Sequence, residues 1–240
     1  MDLGRLGLSI ALALLSETPP AQALADPDLA RSARAEAAAF ASCSGYENGF
    51  PRVISETKLP TLIHCVGPVY PGAARAAGHQ GLVMIQATID SHGKVVSPRL
   101  AGEGSHASEL DFAALEAITH WTFSPGKDVH GNTIETPLLA TIEFWEDDAD
   151  NVREKTCADY VRDSNWFESV SPQTPRTKMH LYYVVVERLA MDAFAARANP
   201  ETIRSVGQRL PAALDATFDR CSAAPQSGFL TTLRAVIMKG

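Results

Sequence analysis

Alternation of apolar and polar positions is the dominant signal in the middle of the chain. From Gly81 to Asp90, Val83, Ile85, Ala87 and Ile89 fall on one face at period two, which predicts a half-buried strand. Ser91-His92-Gly93 reads as a tight turn, and Lys94 to Leu100 as the returning strand of a hairpin. Pro98 inside that strand predicts a bulge or an edge position. Trp121-Thr122-Phe123 reads as a short strand. Thr133 to Trp145 reads as a second long one, with Leu138, Ala140, Ile142 and Phe144 alternating against Leu139, Thr141, Glu143 and Trp145. Helical spacing intervenes twice. Gly72 to Ala77 forms one to two turns stopped by Gly78. Ser108-Glu109-Leu110-Asp111 matches a capping box with Ser108 as N-cap, and it opens a helix presenting Leu110, Ala114, Leu115 and Ile118 on one face. The class predicted is α+β: a small antiparallel sheet with one packed helix.

After Asp150 the strand signals stop. Helices are expected over Val152–Asp163, over Arg176–Ala198, and from Asn199-Pro200-Glu201, where Asn caps and Pro takes the first helical position. Pro211 is expected to break or kink that helix, and a last helix is expected from about Gln226 to Met238. Residues 152–240 thus read as a helical C-terminal domain. The acidic segment Glu146–Asp150 reads as a solvated linker before it. Upstream, Asp26-Pro27 opens an Ala-rich helical run, and turn residues follow from Gly45 to Pro51, so 26–58 reads as a helix and linker. Residues 1–25 hold one basic residue, Arg5, then an apolar run Leu6–Leu15, Pro19-Pro20 and small residues. That order predicts a secretory signal peptide, with processing after Ala23 or Ala25 and an uncleaved short anchor as the competing reading. The apolar run is too short for a bilayer core, which takes about 20 residues.

Composition narrows the function classes. The chain has 240 residues, 45% of them hydrophobic, and carries a net charge of −7. Clustered Lys/Arg for phosphate contacts is missing, so no nucleic-acid partner is expected. An exported chain with an even number of cysteines points to disulfides among Cys43, Cys65, Cys157 and Cys221. Three connectivities are open; sequence neighbourhood suggests Cys43–Cys65 and Cys157–Cys221. The histidines are scattered, and neither HExxH nor GxSxG occurs. No catalytic, metal or cofactor site is assigned, and the chain is not expected to be an enzyme.

One constellation is specific. It comprises Pro68-Val69-Tyr70-Pro71, Ala74-Arg75, Gly78, Gln80-Gly81-Leu82-Val83, Ile89-Asp90, Gly93-Lys94-Val95, Leu110-Asp111, Ala113-Ala114, Trp121-Thr122-Phe123-Ser124-Pro125, Gly131 and Ile142-Glu143-Phe144. In order and spacing, residues 59–146 resemble the TonB C-terminal domain family. The resemblance implies a periplasmic module that binds an extended segment of an outer-membrane or envelope protein by strand addition. It implies that the binding edge is the last strand, through Leu138, Leu139, Ala140, Thr141, Ile142 and Glu143, with Pro68, Tyr70 and Pro71 in a loop near the partner. Before that loop, where a Gln contacts the partner in a family member, this chain has Gly67. Two other roles stay open from the sequence: an envelope scaffold that binds through its helical C-terminal domain, and an anchored energy transducer.

Overall fold

A computed structural model describes residues 58–239. The expected signal segment, the N-terminal helix and Cys43 lie outside the described residues. Alternation builds a three-stranded antiparallel sheet in the order β3 (Val95–Leu100), β2 (Gly81–Ile89), β7 (Thr136–Phe144). Every second residue of β2 and β7 is buried on one face, where α2 (Ser108–Thr119) covers them with Leu110, Ala114 and Ile118. Trp121 and Phe123 complete this core. The short pairs β1 (Thr61–His64) with β4 (Thr122–Ser124), and β5 (Gly126–Lys127) with β6 (Thr133–Ile134), flank the sheet. The long strand expected over 133–145 is therefore two strands, separated at Glu135.

Gly93 makes the β2–β3 turn. Its φ is 80°, and an added Cβ would lie 1.8 Å from the Phe123 carbonyl oxygen. The turn thus needs glycine for its backbone conformation and for the approach of β4. Ser97 has φ 52°, and the β2–β3 register shifts between Gln86 and Thr88, which places the expected bulge beside Pro98. The capping box is not where the sequence put it. Ala107 is the N-cap of α2, and Ser108 lies inside the helix. Ser105 Oγ accepts from the Ala107 N–H at 3.2 Å, and Asp111 accepts from the Ser105 N–H at 2.8 Å.

The C-terminal part is helical: α3 (Cys157–Val170), α4 (His180–Ala195), α5 (Pro200–Ala223) and α6 (Phe229–Lys239). A 3-10 turn, Asn151–Arg153, precedes α3, and a second, Arg176–Lys178, precedes α4. A reciprocal cap starts α3, where Thr156 accepts from the Asp159 N–H while Asp159 accepts from the Thr156 N–H. Asn199 caps α5 through the Thr202 N–H at 2.8 Å, with Pro200 at the first helical position. Contrary to expectation, Pro211 does not break α5, which runs for 24 residues. Leu210, Ala213 and Leu214 are buried on either side of it, and this packing outweighs the lost donor. A second core gathers Tyr160, Val185, Leu214, Phe229 and Leu233, and the Cys157–Cys221 disulfide lies buried within it. Cys65, at the edge of the first core, is also disulfide-bonded.

The solvated-linker reading of 146–150 is overturned. Asp147 is 7% exposed and Lys155 6%, while Asp163 is fully buried. Lys155 Nζ reaches Asp147 at 2.8 Å and Asp163 at 2.6 Å. Arg162 adds bonds to Asp163, to Asp159 and to Glu146. Burial opposes the Lys155 ammonium, but the two carboxylates hold its pKa above the ordinary lysine range. This polar seam joins the end of β7 to α3. On its far side, α3 closes on the junction between α1 (Gly72–Ala77) and β2. Trp166 Nε1 donates to the Gln80 carbonyl at 2.9 Å. Gly78, at φ 74°, lies so close to α3 that a Cβ would sit 2.6 Å from Asp163 Oδ1.

Candidate functional site: the outer edge of β7

Among the described residues β7 pairs on one side only. Its register with β2 is unbroken from Gly81↔Phe144 to Ile89↔Thr136. The orientation of its peptide groups follows from β2. The Met84 carbonyl accepts the Ala101 N–H at 2.8 Å, on the β3 side. In an antiparallel sheet both polar groups of one residue point to the same neighbour. Met84 therefore turns away from Thr141, its partner in β7. By alternation, Leu139, Thr141 and Glu143 direct their N–H and C=O groups outward, whereas Leu138, Ala140 and Ile142 bond to β2. Among the described residues nothing bonds these outward groups. Pro137 shares the outward parity, so its missing N–H costs the internal ladder nothing.

The sequence-assigned residues thus divide in two. Leu138, Ala140 and Ile142 are buried core residues, each no more than 2% exposed. Leu139, Thr141 and Glu143 carry the free edge. The sheet's other edge is disrupted by the β3 bulge and Pro98, a common way of blocking further pairing. On β7 the only blunting features are Pro137 and the charge of Glu143.

The loop at Pro68, Tyr70 and Pro71 comes to the same end of β7. The Tyr70 ring packs edge-on against Phe144 at 5.6 Å, and its hydroxyl donates to the His79 carbonyl at 2.6 Å. Burial pushes the Tyr70 phenol well above the usual tyrosine range, so it stays a neutral donor. Arg75 lies over the same ring at 5.0 Å. Val69, at the loop's tip, is 84% exposed. Pro68 and Pro71 are half-buried.

Residues 66–145 match the family model described as the Gram-negative bacterial TonB protein C-terminal. This segment belongs to the TonB C-terminal domain family. A curated relative, Protein TonB of Vibrio cholerae serotype O1, is 40% identical over 67 residues, which are 28% of this chain and 27% of the relative. The chain thus spans about a quarter of that relative's length. The solution NMR structure of the Pseudomonas aeruginosa TonB CTD aligns with 42% of this chain and 97% of its own, at 22% identity and a TM-score of 0.33, too low to equate the two folds. The TonB C-terminal domain accounts for the first core; the helices after Asp150 lie outside the match.

Sequence reading did not single out a second feature at this end of β7. Trp145, Trp166 and His180 form a cleft where the sheet meets α3. The alternation had already put Trp145 on the outward face. Trp166 lies beyond the helix expected to end at Asp163, so no pattern brought the two indoles together. Among the described residues no group of three or more His, Cys, Asp or Glu is arranged to hold a metal.

Proposed function

We propose that this chain is a non-catalytic, periplasm-facing binding protein of TonB-related transmembrane transport. Its TonB C-terminal domain takes up an extended segment of an outer-membrane or envelope protein as an extra strand on β7. The observation that carries this reading is the regular edge formed by Leu139, Thr141 and Glu143, whose peptide groups are unpaired among the described residues. A strand laid there gains about six backbone hydrogen bonds, two per outward residue. Each is worth roughly 0.5–1.5 kcal/mol net, which suits reversible capture. The family match supports the transport setting, and the expected export signal supports the compartment. No described helix is long and apolar enough to cross a membrane.

Hydrogen exchange on the full chain, with and without an extended peptide from a candidate outer-membrane transporter, tests this reading. Binding should newly protect the amides of Leu139, Thr141 and Glu143. Leu138, Ala140 and Ile142 should be slow to exchange before any peptide is added. Protection confined to the helices after Asp150 would favour the second reading, a scaffold that binds through its helical part. One feature speaks for that alternative. An apolar groove of about 330 Å3 lies between α4 and α5, lined by Val186, Ala190, Ile203 and Val206. Phe194, also on α4, is 87% exposed.

A further inference from the structure

A backbone ladder binds any extended chain, so sequence preference has to come from side-chain sites. The cleft at the end of β7 supplies one. Leu82 and Trp145 form its wall on the sheet's outer face, and Trp166, Phe167 and Val170 of α3 form the opposite wall. Its volume is about 260 Å3. That lies below the roughly 300–1,000 Å3 of sites for drug-sized ligands and suits a single amino-acid residue.

The walls are fixed and apolar. Trp145 Nε1 donates to Glu143 at 3.1 Å, and Trp166 Nε1 donates to the Gln80 carbonyl at 2.9 Å. Both indole N–H groups are therefore spent, and the rings offer carbon surface. His180 stacks on Trp145 with centroids 4.4 Å apart and planes 6° from parallel. His79 backs Trp166 at 4.1 Å. Rings held in this way lose little freedom when an aromatic guest enters.

An ammonium and an imidazole stand open at the cleft. Lys178 and His106 are exposed and line it, and neither side chain has a hydrogen bond or ion pair among the described residues. His106 is held at φ 65°, in a loop pinned by Ser105 to Ala107 and Asp111. A non-glycine residue kept in that region stores strain, which is common at binding sites. The one carboxylate in the lining, Asp163, is consumed by Lys155 and Arg162.

We infer that this cleft binds an aromatic side chain whose own or adjoining residue carries a carboxylate, and that it reads one end of the segment added to β7. The ring enters between Trp145 and Trp166, and the carboxylate meets Lys178 and His106. One ammonium and one imidazole suit a single negative charge. The second half of the inference rests on the strand-addition reading; the first half does not.

N-acetyl-phenylalanine, which is too short to form a ladder, tests the cleft on the full chain. The indole N–H resonances of Trp145 and Trp166 should shift saturably, and that of the core residue Trp121 should not. N-acetyl-phenylalanine amide should bind about threefold to fivefold more weakly, as should the acid with Lys178→Met or His106→Asn. Asn tolerates the left-handed backbone at 106. Thr141→Pro should leave the affinity for this probe unchanged. Equal affinity for acid and amide, or no saturable shift at either indole, would overturn the cleft. For the link to β7, an extended peptide ending in Phe-Glu should bind better than one ending in Ala-Ala; Thr141→Pro should abolish binding of the Ala-Ala peptide and leave the Phe-Glu peptide no tighter than N-acetyl-phenylalanine. A probe that binds while the two peptides bind equally would refute the link. Thr141-independent binding of the Ala-Ala peptide would refute strand addition itself.

Discussion

Met84 and Thr141 face each other across β2 and β7 as a non-hydrogen-bonded pair, because the Met84 carbonyl is committed to Ala101. The Thr141 N–H therefore points out of the sheet, and the Ile142 N–H points in. Proline at the two positions should act differently. Thr141→Pro removes an outward donor and puts the Pro ring where the added strand would lie, so it should keep the native fold while abolishing uptake of an extended peptide. Ile142→Pro should strip the Val83 carbonyl of its donor, at about 1–3 kcal/mol for the stranded group, with steric disruption in addition. Denaturant unfolding of both variants, alongside peptide titration, checks this. Equal destabilisation by the two would sink the assignment of inward and outward groups.

Lys155 is the keystone of the seam between the sheet and α3. Two carboxylates, Asp147 and Asp163, are buried against it. Removing only the cation leaves Asp147 uncompensated, while Arg162 still holds Asp163, so Lys155→Met should cost about 3–5 kcal/mol. The loss should be visible as a lower denaturant midpoint. A change below about 1 kcal/mol would mean that water reaches the seam and replaces the ammonium.

Much of the sheet was legible because burial on one face forces period two. Val83, Ile85, Ala87 and Ile89, like Leu138, Ala140, Ile142 and Phe144, are buried in the structure as their spacing implied. Gly93, Pro98 and Asn199-Pro200 were legible for the same reason, since each imposes a local backbone geometry. What failed depends on partners distant in sequence. Asp147 looked like a solvated charge, and only its pairing with Lys155, which Asp163 also holds in place, makes its burial tolerable. Asp111 looked like one half of a capping box, but the loop brings Ser105 to it instead of Ser108. The free edge was legible only as a family expectation. The direction of the Thr141 peptide group needed the β2–β3 pairing, which alternation does not encode.

The Cys157–Cys221 disulfide closes a 64-residue separation and ties the first turn of α3 to the end of α5. Replacing both cysteines with Ala should cost about 2–5 kcal/mol. The loss should appear chiefly as faster exchange in α3, α5 and α6. The sheet amides should respond less, because the first core makes its own contacts. Thiol labelling of the denatured, unreduced protein should find neither Cys157 nor Cys221; labelling at either would refute the bridge.

The cap of α3 should make part of the stability pH-dependent. Burial alone would raise the Asp159 carboxyl, but bonds from the Thr156 hydroxyl and backbone N–H hold it below the usual aspartate range. A depressed carboxylate favours folding at pH values above its unfolded pKa, near 4, and this contribution fades as pH falls through the folded value. Wild type should therefore lose more stability between about pH 5 and pH 3 than Asp159→Asn does. Thr156→Ala should cost about 0.5–2 kcal/mol at neutral pH, because the Asp159 N–H loses its acceptor. It should also flatten the acid limb, since the hydroxyl bond is lost and only the Thr156 N–H and Arg162 still anchor the Asp159 carboxylate. Thermal melts of the three proteins at neutral and acidic pH give both numbers. An Asp159→Asn variant with the same acid limb as wild type would show that the pH sensitivity arises elsewhere, for instance at Asp192, whose carboxyl Arg188 and Arg234 hold low against the pull of burial.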